Sequence, residues 1–129
     1  MKRQQRDSGK EAMQLTFEDE SFRLSGIFLR KDHTYRRVPL EEIILLEACQ
    51  NYTLIYTVSE TFLYSRQLNK VAQRLHESFF MRVHRSYVVN RNFVLAKKKQ
   101  RLELTGNRII PIGKTYRNAF QFVSNAVIL

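Results

Sequence analysis

The sequence predicts a mostly β fold carrying two main amphipathic helices. Short runs rich in β-branched and aromatic residues recur along most of the chain, separated by turn-forming residues. A helical period surfaces in only two places, SRQLNKVAQRLHES and the closing KTYRNAFQFVSNAVIL. The 129 residues, 43% of them hydrophobic, are enough for one core.

The polar, charged stretch at residues 1–21 reads as a flexible arm or linker, and residues 22–129 as the folded domain. GIFLRKD and TYRRVPL are strand-like, with Asp32-His33-Thr34 as the turn between them. EEIILLEA is a continuous apolar run of strand length. NYTLIYTVS alternates, with Tyr52, Leu54, Tyr56 and Val58 on one face, read as core, and Thr53, Ile55 and Thr57 on the other. ETFLYSR follows a tight connection at Ser59-Glu60, so the two form a hairpin. Leu68, Val71, Ala72 and Leu75 make the first helical stripe, with Ser65 as a candidate cap. NFVLAKKK and QRLELTG are strands joined near Lys98 to Gln100. NRIIPIG is another, and Pro111 makes it an edge or a broken strand. Tyr116, Ala119, Phe120, Val123 and Val127 give the second amphipathic stripe.

Composition excludes several functions. Cys49 is the only cysteine, so an internal disulfide and a zinc finger are ruled out. His33, His76 and His84 show no ligand spacing, so neither a metal nor a cofactor is expected. No apolar run approaches the roughly 18 residues needed to span a bilayer, and no secretion signal leads the chain; the plain expectation is a cytoplasmic protein. Cys49 sits between apolar strands as an inert buried thiol would. Ser86 lies near His84 without an acidic orienter, and no glycine-rich phosphate loop occurs. No catalytic residue is assigned, and an enzyme is not expected.

Charge points elsewhere. Lysines and arginines number 22 against 12 acids, a net charge of +10. Between Arg82 and Arg117 the only acid is Glu103, so one face should be positive. An ordinary solvated surface is the plain alternative. Within the window, RVHRSYVVN sets Arg82, His84 and Arg85 against Tyr87, Val88 and Val89. Such a segment suits a rigid turn whose apolar residues anchor it and whose polar tips face outward. An arginine held in this way can donate two bonds to guanine. His84 is slightly better explained by a bond to nearby backbone that fixes the turn than by direct contact.

Three stretches resemble the LytTR DNA-binding domain of bacterial transcription regulators, over about residues 26–122. They are IILLEACQNYTLIYTVSETFLYSRQLNKVAQRL, FFMRVHRSYVVNRNFV with its Phe-x-Arg-x-His-Arg-Ser-aromatic-x-Val-Asn pattern, and RIIPIGKTYRNAF. The resemblance implies an elongated antiparallel β-sheet fold whose loops read successive major grooves of double-stranded DNA. It also implies the output domain of a response regulator in a two-component system. The implied contacts are Gln50, Asn51 and Tyr52; Arg82, His84, Arg85 and Ser86; and Gly113, Lys114 and Arg117. Gly113-Lys114 stands where the family usually has Ser-Arg, and a lysine lacks the planar fork of arginine. The basic run that includes Lys97 and Lys98 is expected on phosphates. Self-association on repeated half-sites stays open. The alternative function is a β-rich adaptor that binds a protein partner or an anionic surface through its basic face.

Overall fold

In a computed structural model of the chain, the structure describes residues 26–75 and 78–120. It is mostly β and built in three layers. The first is a hairpin of β1 (Gly26–Lys31) and β2 (Thr34–Pro39) together with the helix α1 (Leu68–Arg74). The middle layer is a five-stranded antiparallel sheet of β3 (Ile43–Cys49), β4 (Tyr52–Thr57), β5 (Thr61–Tyr64), β6 (Phe80–His84) and β7 (Tyr87–Asn90), in the order β5-β4-β3-β7-β6. The third is a three-stranded sheet of β8 (Val94–Lys98), β9 (Arg101–Leu104) and β10 (Arg108–Pro111), in the order β10-β9-β8.

Turn chemistry explains most of these elements. Asp32 and His33 both take positive φ, 53° and 67°, the conformation that matches a two-residue hairpin to the twist of its strands. In the three-residue turn between β9 and β10, Gly106 and Asn107 also take positive φ, 78° and 59°. Pro111 has no N–H to give a ladder and lies on β10, an edge strand, as expected.

The middle sheet is covered on both faces, and its core is therefore double. On one side Ile27, Leu29, Val38 and Leu40 of the first hairpin, with Leu68 and Val71 of α1, close on Ile43, Leu46, Ile55 and Val88. On the other, Leu102, Leu104, Ile110 and Ile112 close on Ile44, Leu45, Met81, Val83 and Val89. A strand buried on both faces needs apolar residues at successive positions, which is why β3 reads as an unbroken Ile-Ile-Leu-Leu run. A register shift between Ile43 and Leu45 lets both Ile44 and Leu45 face the second cluster.

Asn90, fully buried at the end of β7, has both ends of its amide used. Its Nδ2 donates to the carbonyl of Ile43 at 2.9 Å, and its Oδ1 accepts from the N–H of Asn92 at 2.9 Å. It fixes the start of β3 to the end of β7 and opens the 3-10 turn Arg91–Phe93.

Four expectations change. In β4 the buried residues are Thr53, Ile55 and Thr57, while Tyr52 and Val58 are 42% and 56% exposed. The three-stranded sheet reaches Tyr56 in the middle of that face but not its two ends. Ser65 does not cap α1. The cap position is Gln67, whose side chain makes no capping bond, because the Thr53 hydroxyl donates to the Arg66 carbonyl at 2.8 Å and holds the chain extended beyond Ser65. Cys49 is exposed, since it ends β3 at a turn. The expected second helix is, over its described residues, the 3-10 turn Lys114–Phe120, so α1 is the one α-helix among the described residues. Val123 and Val127, and the arm at 1–21, lie outside the described residues.

Val88 enters one cluster and its neighbour Val89 the other. Val89→Ala should therefore cost about 1–3 kcal/mol, the usual cost of deleting buried methyl groups. Chemical denaturation with an unchanged slope would measure it, and a midpoint equal to that of the parent chain would place Val89 outside the core.

Candidate nucleic-acid interface

The segment RVHRSYVVN is the β6–β7 hairpin, and Arg85 and Ser86 are its two turn residues. The pairing skips Val83, between Arg82 opposite Val88 and His84 opposite Tyr87. This bulge rotates Arg82 back over the turn. Its Nε donates to the carbonyl of His84 at 2.9 Å, and its Nη2 donates to the carbonyl of Arg85 and to Oδ1 of Asn69 in α1, the latter at 3.0 Å. His84 Nδ1 accepts the N–H of Ser86 at 3.0 Å, which leaves that nitrogen without a proton, and the ring tilts against Tyr87 with centroids 5.5 Å apart. Arg82 and His84 thus hold the turn from the inside, while Arg85 is exposed at its tip.

Two backbone hydrogen bonds tie neighbouring segments to this hairpin, and a third ties the second of those segments to the β8–β9 turn. Ala48 N–H donates to the Ser86 carbonyl at 2.9 Å, Gly113 N–H to the Val83 carbonyl at 2.9 Å, and Ile112 N–H to the Gln100 carbonyl at 2.8 Å. The bulge leaves the Val83 carbonyl available for Gly113. A side chain at 113 would press on the Tyr116 ring, its Cβ 3.0 Å from Cδ2, and lie 3.6 Å from His84. The β8–β9 turn, the segment at Gly113-Lys114, the Arg85-Ser86 turn and the β3–β4 turn therefore form one continuous ridge.

The three implied contact groups all lie on this ridge. Gln50 and Asn51 form the β3–β4 turn, Gln50 with φ of 57°, and Tyr52 opens β4 opposite Cys49. Asn51 Oδ1 accepts from Gln67 Nε2 at 3.0 Å. Lys114 and Arg117 are exposed on the 3-10 turn. Lys97 and Lys98 end β8 and are exposed. Lys98 pairs with Glu103 at 3.1 Å, and Arg101 lies 4.0 Å from the same carboxylate oxygen. The lone acid of the basic window therefore sits among the cations of one turn.

Three residues of this region escaped the sequence. Gln67 and Asn69 carry no charge, and only the packing of α1 brings them to the turns. Glu47 is half-buried and accepts from the Tyr56 hydroxyl at 2.7 Å and the Tyr87 hydroxyl at 3.3 Å. Its signal was an acid inside an otherwise apolar strand. Burial first, then the Glu47 hydrogen bond and charge, push the Tyr56 phenol up to about 12, against a partial opposing effect of Arg108 over its ring. Tyr87 is raised by burial and by Glu47 as well. Among the described residues no cluster of His, Cys, Asp and Glu could hold a metal ion, and no helix is long and apolar enough to cross a membrane.

The LytTr DNA-binding domain profile matches residues 33–123. The chain belongs to this family. The domain shares 32% identity over 89 residues with the transcriptional regulatory protein YpdB of Escherichia coli, and the same with its Shigella flexneri counterpart; the match takes in 69% of this chain. The aligned part is 34% of the length of those relatives, so the LytTr domain spans about a third of them. A solved LytTr DNA-binding domain from Bacillus cereus superposes with a TM-score of 0.67 at 23% identity, covering 78% of this chain and 96% of that one, and has the same fold.

The raised Tyr56 phenol has a pH consequence. The folded chain keeps its proton to about pH 12, whereas an unfolded tyrosine releases it near 10. Stability from this group is complete below about pH 10 and falls as pH rises towards 12. Phenolate absorbance of the parent chain minus Tyr56→Phe should show one late-titrating tyrosine, and Glu47→Gln should bring that titration earlier. A Tyr56 titration near 10 in the parent chain would contradict this.

Proposed function

We propose that the domain reads double-stranded DNA in transcription regulation, with the turns of the ridge entering successive major grooves. The observation that carries this is the lacing itself: an exposed Arg85 at the centre of a rigid row of turns, flanked by Asn51 on one side and Lys114 and Arg117 on the other. Base edges demand fixed donors, because a mobile side chain loses rotamer entropy on binding and does not discriminate. Arg85 suits guanine, Gln50 suits adenine, and Asn51, whose Oδ1 already accepts from Gln67, can donate through its NH2 to a base acceptor such as a purine N7. Lys97, Lys98, Lys99 and Arg101 suit phosphates, whose contacts position without reading sequence. Arg82, His84 and Ser86 contribute chiefly by shaping the knuckle that carries Arg85. Tyr52, exposed beside the β3–β4 turn, offers its ring to the sugar–phosphate wall. The names of the relatives, transcriptional regulatory proteins, support the biological setting.

Arg85→Ala should lower affinity for the preferred duplex by about 1–3 kcal/mol while sparing random duplex and the fold. Competition binding against a duplex selected from a random pool measures it. Equal loss on both duplexes would make Arg85 a phosphate contact, and no duplex preference in the parent chain would favour an adaptor that uses its basic face without reading sequence.

Neutralising Lys97, Lys98, Lys99 and Arg101 together should flatten the dependence of log affinity on log salt, by about 0.9 for each phosphate no longer neutralised by the protein. Glu103 already shares the charge of Lys98 and Arg101, so the change should fall short of the formal charge removed. An unchanged slope would mark the run as a solvated face.

A further inference from the structure

The two turns proposed to read bases on either side of Ala48 are both held by the start of α1. Gln67 Nε2 donates to Asn51 Oδ1 at 3.0 Å in the β3–β4 turn. Two residues on, Asn69 Oδ1 accepts from Arg82 Nη2 at 3.0 Å, and Arg82 in turn holds the carbonyls of His84 and Arg85 in the knuckle. Between them Leu68 is only 3% exposed and is sunk into the core beside Val71. The bracket is also fixed from behind. The Thr53 hydroxyl donates to the Arg66 carbonyl at 2.8 Å, and the N–H groups of Lys70 and Val71 converge on the Gln67 carbonyl at 3.0 and 3.1 Å. Gln-Leu-Asn is thus one outward hold, one buried anchor and a second outward hold, joining two turns that belong to different strand pairs.

We propose that Gln67 and Asn69 are specificity-determining positioning residues, which set the spacing and orientation of the Asn51 and Arg85 turns. Both side chains are exposed, so their bonds add little to folding compared with the buried core. What they do control is geometry. Donation from Gln67 fixes the carbonyl end of the Asn51 amide inward and leaves its NH2 end as the outward-facing donor; an unheld amide could turn over and exchange the two. The Asn69 carbonyl gives Arg82 a third acceptor, so the guanidinium that shapes the knuckle cannot swing towards a phosphate without giving up its bond to α1. Neither residue needs to touch DNA to do this. The proposal rests on the proposed base reading by Asn51 and Arg85, and its failure is separable from failure of that reading.

The test compares affinity for a duplex enriched from a random pool by the parent chain with affinity for a scrambled duplex of the same composition, at fixed salt. Asn69→Ala and Gln67→Ala should each reduce the ratio of the two by about 3- to 30-fold, the range expected when one member of a coupled pair is removed. Their unfolding midpoints should stay at that of the parent chain. The position-by-position profile should relax at different base pairs for the two variants: with Asn69→Ala, at those that Arg85→Ala also relaxes. Asn69→Asp keeps an acceptor for Arg82 and should restore the ratio, although its added negative charge weakens both duplexes. On an Arg85→Ala background, Asn69→Ala should cost no further preference at the positions read by Arg85. If both alanine variants keep the parental ratio while Arg85→Ala loses it, the positioning role is wrong and base reading stands. A loss that tracks a lowered unfolding midpoint, or that Asn69→Asp fails to rescue, also overturns the proposal. A parental ratio in Arg85→Ala as well would remove the base reading on which it stands.

Discussion

Everything on the ridge depends on β7, a four-residue strand whose successive valines face opposite halves of the core. Val88 packs with the first hairpin and α1, and Val89 packs with the three-stranded sheet. Both layers therefore clamp the strand that immediately follows the Arg85-Ser86 turn. β7 also pairs with β3 on one side and β6 on the other, so the turn inherits its position from the most constrained place in the molecule. A knuckle carrying two arginines repels itself and favours solvent. It stays in register because detaching it would uncover apolar surface on both faces of the middle sheet at once.

The hairpins, the edge position of β10 and the stripe of α1 were legible because they are local. Asp32-His33, Gly106-Asn107 and Pro111 act through their own backbone preferences, and Leu68 and Val71 through helical spacing. The arrangement of the ridge was not legible. The bond from Gly113 to Val83 depends on a bulge that follows from pairing β6 with β7, and on how the three-stranded sheet docks against the middle one. No residue-by-residue preference encodes either. The assignment of the Tyr52–Val58 face to the core failed for a related reason: alternation marks two faces but does not say how far the covering layer extends. Both faces of β4 meet apolar layers, and the exposed residues are simply those beyond the reach of the smaller sheet.

Arg82 illustrates the same limit at the scale of one side chain. In the sequence it is a cation two residues from a histidine, equivalent to Arg85. In the structure the bulge separates their roles. Arg82 is half-buried with backbone carbonyls and Asn69 as acceptors, whereas Arg85 is exposed with no side-chain partner among the described residues. Satisfying Arg82 internally also gives the carbonyls of this tight turn partners of their own.

The formal charge of the basic window therefore overstates what is available to DNA. Lys98 and Arg101 share Glu103, and Arg82 is committed to the knuckle. Arg85, Lys114 and Arg117 are exposed on the laced turns, with Lys99 at the tip of the neighbouring one. A surface with every cation free would bind any duplex tightly, because counterion release is indifferent to sequence. On the proposed reading, holding some cations in internal bonds and presenting a few on the laced turns lowers that indifferent attraction relative to the base contacts. Discrimination is a difference between two affinities. If Arg85 reads bases as proposed, discrimination gains from the cations that Glu103 and the knuckle carbonyls engage as well as from the arginine exposed at the tip.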